Sequence, residues 1–511
     1  MTNAIVLPRP LNADLDFPSK SDCLYGRNAA ARSKSQSTNS IEMELILVLV
    51  AIIGLVWTAV FFRRSSLLTS CTVLMIVGSC LGHAFFHRNV GPLPLTIDRL
   101  LWFGIVLQFL YMHRVNLDDP KPISRIDLMF AAYIVYLGLN TMLTDWQING
   151  KAPLAHWLFS YLMPAAVYWI SRQAKIGERE FRWFTMLMTA FGLYLAITAF
   201  AETRQWWWMV FPKHIASTEA SEFLGRGRGP FMNPVSCGIF QVFGFCCMLM
   251  WWPRVGTRGK VVLMLLSGIF SVGVFCTLTR SIWITFALAL GLIVWLLTTY
   301  RTRGILISSA VACGVIGLAV TGGELNSFKR DVNVTEVQMS ESAKLRPMLA
   351  AVALEMAADK PIFGFGLAQY KQNSAPYHFT DRWEMPLRTV SIYVQHNMFL
   401  ASLVETGLFG LTLLVGLIAV WTWLGWKLWR SRNLPLWVRQ TGLLQILLII
   451  AFTVNGMFHD TLLVPMGTSI LFLMAGITSG VAARNLTAAS PVQAANHTPA
   501  KARFVTSQAA N

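Results

Sequence analysis

The chain has 511 residues, of which 55% are hydrophobic and 13% charged, with a net charge of +17 at pH 7 and a mean hydropathy of +0.52. An ordinary soluble domain carries about 25% charged residues, so this chain lacks the charge to solvate two or three soluble domains. Its Lys and Arg residues fall largely in short loops between hydrophobic runs, not in a basic stripe interleaved with exposed aromatics, which excludes nucleic acid as the expected partner.

Residues 1–42 are polar, rich in Ser, Asn and Arg, with no apolar core of signal-peptide type. They read as a disordered tail. Met43 opens the first apolar run directly, which makes it a candidate start and 1–42 a candidate untranslated leader. Candidate spans follow at 43–62, 66–85, 96–113, 127–144, 153–171, 183–201, 231–252, 260–278, 281–299, 304–321, 397–426, 441–458 and 461–482. As helices, such runs are long enough to cross a hydrocarbon core about 30 Å thick. The stretch 397–426 is too long for one simple span, and Gly407 and Gly410 are expected to break or tilt it. A disordered tail is expected over 484–511, and no repeat period is visible. Of the eight cysteines, all but Cys23 lie in apolar runs, where Cys acts as a small hydrophobe. No CxxC pair or zinc-type His/Cys spacing occurs, so neither disulfides nor a metal site is expected.

The expected fold class is therefore an all-α polytopic membrane protein of about 12–13 transmembrane helices. The membrane domain is 43–483, with one large loop at 322–393. Loop charge orients it. From the fifth span on, one set of loops carries Arg172, Lys175, Arg179 and Arg182; Arg254, Arg258 and Lys260; Arg301 and Arg303; and Lys427, Arg430, Arg432 and Arg439. The positive-inside bias places these in the cytoplasm and loops 202–230 and 322–393 outside. Thirteen spans with a cytoplasmic C-terminus put the N-terminus outside, although the tail as written is basic. Either one early run does not span, or the tail is not part of the protein.

Loop 322–393 holds eight basic and eight acidic residues, which does not describe a polyanion-binding arm. Pro347 to Lys360 reads as a short amphipathic helix with Pro in its first turn. Pro361-Ile362-Phe363-Gly364-Phe365-Gly366 reads as a turn lying on the membrane surface.

Four groups on the outer side carry candidate chemistry. They are His396-Asn397, followed by Glu405, Gly407 and Gly410; Arg280 in the short turn Thr277-Leu278-Thr279-Arg280-Ser281; Arg226 and Arg228, followed by Asn233-Pro234; and Arg346. Each has a plain structural reading as well. Arginines at helix ends snorkel to headgroups, a lone interfacial His is commonly structural, and paired glycines serve helix packing. Arg280 resists that reading, because a charge so near the membrane interior is costly without a partner. If the groups converge, several guanidiniums can grip a pyrophosphate bidentately. A neutral imidazole beside them can accept a proton from an attacking hydroxyl. Trp206-Trp207-Trp208 fits an aromatic belt better than a sugar platform. His459-Asp460 fits an acid–base pair or a helix end facing headgroups.

The sequence His396-Asn397, nine residues, Gly407, two residues, Gly410 resembles the signature of the O-antigen ligase and O-antigen polymerase superfamily. The Arg280 turn, the Arg226/Arg228 segment and the stretch from Arg346 to Gly366 resemble it too. The resemblance implies a bacterial inner-membrane glycosyltransferase with its active site facing the periplasm, independent of metal and cofactor. The implied donor is an undecaprenyl-pyrophosphate-linked glycan. The implied acceptor hydroxyl belongs to lipid A–core or to another glycan; relatives that glycosylate protein share the same motifs. Carried onto this chain, His396 is the base or acceptor-positioning residue. Arg280 and one of Arg226 or Arg228 hold the diphosphate, with Arg346 as a further candidate. Asn397, Glu405, Gly407 and Gly410 are motif or structural residues. The alternative is a transporter or flippase of lipid-linked saccharide. The missing internal repeat and the outward position of the notable charges weigh against it.

Overall fold

A computed structural model of the protein describes residues 65–487 apart from 83–84, 91–92, 145–152, 218–222, 302, 305–335 and 381. The expected tail 1–42, the run 43–62 and nearly all of the run 304–321 lie outside the described residues.

The chain is an all-α polytopic membrane protein. Its helices are α1 (Leu67–Cys80), α2 (Ile97–Arg114), α3 (Arg125–Leu143), α4 (Pro153–Trp157 continuing through a π-turn at Leu158–Leu162 into Met163–Gln173), α5 (Glu178–Thr203) and α6 (Pro234–Leu249). There follow α7 (Thr257–Cys276), α8 (Arg280–Leu297), α9 (Glu336–Asp359), α10 (Met398–Arg430), α11 (Leu436–Gly456) and α12 (Pro465–Thr487). A small antiparallel hairpin, β1 (Arg88–Val90) with β2 (Leu93–Leu95), joins α1 to α2. Among the described residues eight helices are long and apolar enough to cross a membrane. The expected runs 66–85, 96–113 and 153–171 also form helices, as α1, α2 and α4.

Local chemistry sets the helix starts. Ser124 and Asp127 form a reciprocal capping box at α3. Asn233 accepts from the N–H groups of Val235 (2.9 Å) and Ser236 (3.3 Å), with Pro234 opening α6. Spans α6, α11 and α12 form the centre of the bundle, with 83%, 72% and 89% of their apolar windows buried, against 28% for α7 and α8. The last two therefore present most of their surface to lipid.

The loops gather at two ends. At the basic end, Arg172 and Asp127 pair at 2.6 Å with both side chains buried, and Lys121 Nζ donates to the carbonyls of Arg172 (3.0 Å) and Ala174 (3.1 Å). Arg254 there bonds Gln440 Oε1 at 2.6 Å. The opposite end carries residues 204–217 and 223–232, the 277–279 turn, the 457–464 turn and the region from α9 to the start of α10.

Helix α10 runs through a break at Gly407, whose φ of 66° and ψ of −173° are not helical. The break that the length of the run predicts is thus found at Gly407. It is filled by the turn Pro361–Gly366. Phe365 and Gly366 N–H groups donate to the carbonyls of Val404 and Glu405, both at 2.9 Å, while Leu408 and Phe409 donate to Pro361 (2.8 Å) and Ile362 (3.2 Å). Backbone groups freed by a broken helix at membrane depth need partners inside the protein, and the turn supplies them. Asn140 of α3 holds the turn from the other side, donating to Phe363 O and accepting from Leu367 N, both at 2.9 Å.

Two expectations for this region need correction. The amphipathic helix does not start at Pro347: α9 is already helical at Glu336, the first residue described after 335, and Pro347 lies inside it. Tertiary packing overrides the local start signal. Leu349, Val352, Ala353 and Met356 bury one face of α9 against Phe365, Tyr370, Leu387, Val390 and Val404. The turn also does more than rest on a surface. The Ile362 and Phe363 side chains are exposed, but its backbone is built into α10.

Candidate active site

Three segments of the opposite end, remote in sequence, meet around two histidines. The His396 and His459 rings lie edge to face with centroids 6.3 Å apart. Asn397, next to His396, caps α10 by accepting from Phe399 N (2.9 Å) and Leu400 N (3.1 Å). Its Nδ2 also donates to Met457 O at 3.1 Å, tying the start of α10 to the turn that carries His459. The Arg346 guanidinium sits 5.2 Å from the centre of the Phe458 ring.

The arginine segment docks against the turn between α7 and α8. Gly227 N donates to Cys276 O at 2.8 Å. Arg226 donates through Nη2 to Thr279 Oγ1 (2.6 Å) and through Nε to Thr277 O (3.3 Å). That places Arg226 beside the residue that precedes Arg280, which opens α8 and is exposed. The turn is tight enough that Leu278 adopts a positive φ of 48°.

The electrostatics group the same residues. Shielding from solvent, with added repulsion from His396, Arg346 and Arg226, holds His459 far below the usual imidazole range, at about 3. Shielding and Arg346 likewise lower His396, and shielding and Arg280 lower Arg346. Arg226, Arg280, Arg346, His396 and His459 therefore share one electrostatic neighbourhood. Both imidazoles are neutral near pH 7, and His396, the less depressed of the two, is the better proton acceptor.

Arg228 does not join them. It is fully buried and pairs with buried Glu202 at 3.8 Å, and its Nη2 donates to Ile215 O (2.8 Å) and Ser217 O (3.2 Å). Glu202 also accepts from the backbone N–H groups of Arg228 (3.3 Å) and Gly229 (2.8 Å). Of the two expected alternatives, Arg226 faces the histidines and Arg228 fastens its own loop. Glu405 turns inward: it accepts from Ala368 N at 2.8 Å. With Asp460, Tyr133, His156 and Tyr161 it lines an internal cavity of about 10 Å³, room for about one water. His459 and Asp460, adjacent in sequence, thus serve different surroundings. Shielding pushes the Asp460 carboxyl up to about 7.

Phe458, Thr279, Asn140 and Glu202 have no motif that announces them, because each acts on a segment distant in the chain. An apolar groove of about 670 Å³ runs between α8, α10 and α11, lined by Leu288, Gly291, Trp295, Ile418, Ile449 and Val454 among others, on the same helix that Arg280 opens. Among the described residues no group of three or more His, Cys, Asp or Glu side chains is placed to hold a metal ion.

Residues 261–415 match the model of the O-antigen ligase family. No curated protein matches the chain. The matched segment contains Arg280, Arg346, His396, Asn397, Glu405, Gly407 and Gly410, while Arg226 precedes it. Across residues 261–415 the chain is accordingly similar to the O-antigen ligase family.

Proposed function

We propose that the protein transfers glycan from an undecaprenyl-pyrophosphate carrier to an acceptor hydroxyl at the periplasmic face of a bacterial inner membrane. Ligase- or polymerase-type glycan transfer is the activity of the matched family. The observation that carries the finer reading is the meeting of Arg226, Arg280 and Arg346 with the neutral His396 and His459 at one end of the bundle.

In this mechanism Arg280 and Arg226, joined by Arg346, receive the diphosphate of the donor. Guanidiniums match phosphate oxygens bidentately, and they stabilise the charge that grows on the leaving diphosphate as the glycosidic C–O bond breaks. The acceptor oxygen attacks the anomeric carbon from the opposite side, and His396 takes its proton. An arriving diphosphate offsets the cations that depress His396, so substrate binding raises its basicity when it is needed. The groove between α8, α10 and α11 lies where the polyprenyl chain of a donor held at Arg280 would run. The reading needs no metal and no cofactor. Positive-inside loops favour the outward placement of this end.

A deletion strain with its surface polysaccharide resolved on a gel tests the proposal. Loss of polymer-capped lipid with accumulated carrier-linked polymer marks a ligase with lipid A–core as acceptor. Caps of a single repeat mark a polymerase. An unchanged ladder contradicts both.

A further inference from the structure

A second cavity, of about 340 Å³, opens at the same end of the bundle between α1, α2, the π-turn of α4, His214, Pro230 to Met232 and the start of α12. It is large enough for a small ligand, and its lining is unusual. Thr96 stands at the N-cap of α2 yet makes no side-chain cap bond, although that is what a Thr in this position ordinarily does. Thr96 lines the cavity, and its Oγ1 is fully buried and without a hydrogen-bond partner among the described residues. Asp98 and His214 line the same cavity, and their Oδ1 and Nδ1 atoms are likewise buried and unpartnered among the described residues. Three such atoms around one space are costly unless a ligand answers them. The remaining wall is apolar and aromatic, with Trp102, Phe159 and Phe231. The Arg99 guanidinium is stacked 3.5 Å from the centre of the Phe159 ring.

We propose that this cavity binds a neutral, hydroxyl-bearing ring, a glycosyl unit of the acceptor. Asp98 accepts from hydroxyls, Thr96 and His214 exchange hydrogen bonds with others, and the aromatic wall takes the apolar face of a sugar. Arg99 beside Asp98 disfavours a cationic ligand. The assignment to the acceptor rests on the transfer reading above and on shared walls. The 226–232 segment carries Arg226 to the histidines and Pro230 to Met232 to the cavity, and the 457–466 stretch carries His459 to the one and Val464 to Met466 to the other.

The test measures binding, so that it stands apart from catalysis. Full-length protein in nanodiscs is titrated with the oligosaccharides released by mild acid from the producing strain's own glycolipids. The wild type and Thr96→Val/Asp98→Asn are compared. The expected result is binding to the wild type, at least a tenfold loss in the cavity variant, and an undiminished melting temperature in the cavity variant. The last follows because Thr96 Oγ1 and Asp98 Oδ1 have no hydrogen-bond partner among the described residues to lose. Four results overturn the proposal: no binding to the wild type, equal binding by the cavity variant, loss of binding with a lowered melting temperature, or equal competition by glycerophosphoethanolamine, which marks a lipid-headgroup pocket. If His396→Ala retains full transfer activity in cells, the catalytic reading fails while the binding result still decides the cavity.

Discussion

The carbonyl of Ile362 accepts the N–H of Phe409 at 3.2 Å, across the point where Gly407 breaks α10. The glycine of the family signature and the glycine-bearing turn that precedes it by some forty residues are thus two halves of one joint. A Cβ on Gly407 would collide with the Ile362 backbone, and its φ of +66° is one that L-residues avoid. Gly407→Ala is therefore expected to lower the thermal midpoint in detergent sharply, with the glycine-only backbone conformation alone costing about 1–3 kcal/mol. A Cβ on Gly410 would meet chiefly the Thr406 side chain, so Gly410→Ala should cost less. Equal effects would contradict this account of the joint.

Asn397 combines two tasks, capping α10 and tethering the Met457 turn. Asn397→Ala is expected to cost about 1 kcal/mol for the cap and to slow transfer further by loosening His396 from His459. Asn397→Asp keeps the cap acceptor and loses the donor to Met457. It should restore the melting temperature but not the rate, which separates the two tasks.

The two arginines of the 226–228 segment should fail in different ways. Arg226→Ala removes a charge from the histidine neighbourhood and is expected to abolish transfer while the protein still folds. Arg226→Lys should rescue only partly, since a point charge cannot reproduce a bidentate grip. Arg228→Ala strands buried Glu202 and is expected to cost about 3–5 kcal/mol of stability. Adding Glu202→Gln should recover much of that loss, as read from expression and melting curves.

Asp460 gives a pH signature. Its carboxyl titrates at about 7 in the folded protein against an ordinary 3.8, so between these values the native state holds a proton that the unfolded chain has released. Stability contributed at this site is full below about pH 4 and falls as pH rises toward 7. Melting curves of the wild type minus those of Asp460→Asn should show that decline. A difference independent of pH would remove Asp460 from the shielded cavity.

Much of this was legible in the sequence, for identifiable reasons. Apolar runs of fixed length report spans directly because the bilayer sets the length, and α3, α5, α7, α8 and α11 fall close to where the runs place them. Asn233 and Asn397 announce helix starts through local chemistry. The Arg280 turn is visible because only two residues separate the apolar runs 260–278 and 281–299. What was not legible depends on contacts far apart in the chain. Nothing near Arg228 reveals that Glu202 neutralises it, and nothing near Pro347 shows that α9 has a core to bury against and so continues through the proline. The position of His459 opposite His396 depends on the Asn397–Met457 tether.

The central claim is that His396 takes the acceptor's proton at a diphosphate-binding cluster. Its most direct test is complementation of the deletion strain by His396→Ala at matched protein level and matched melting temperature, with the surface polysaccharide and the carrier-linked glycan both quantified. The account predicts loss of transferred glycan, with carrier-linked glycan accumulating behind the block. A wild-type polysaccharide ladder from the folded His396→Ala protein would contradict it.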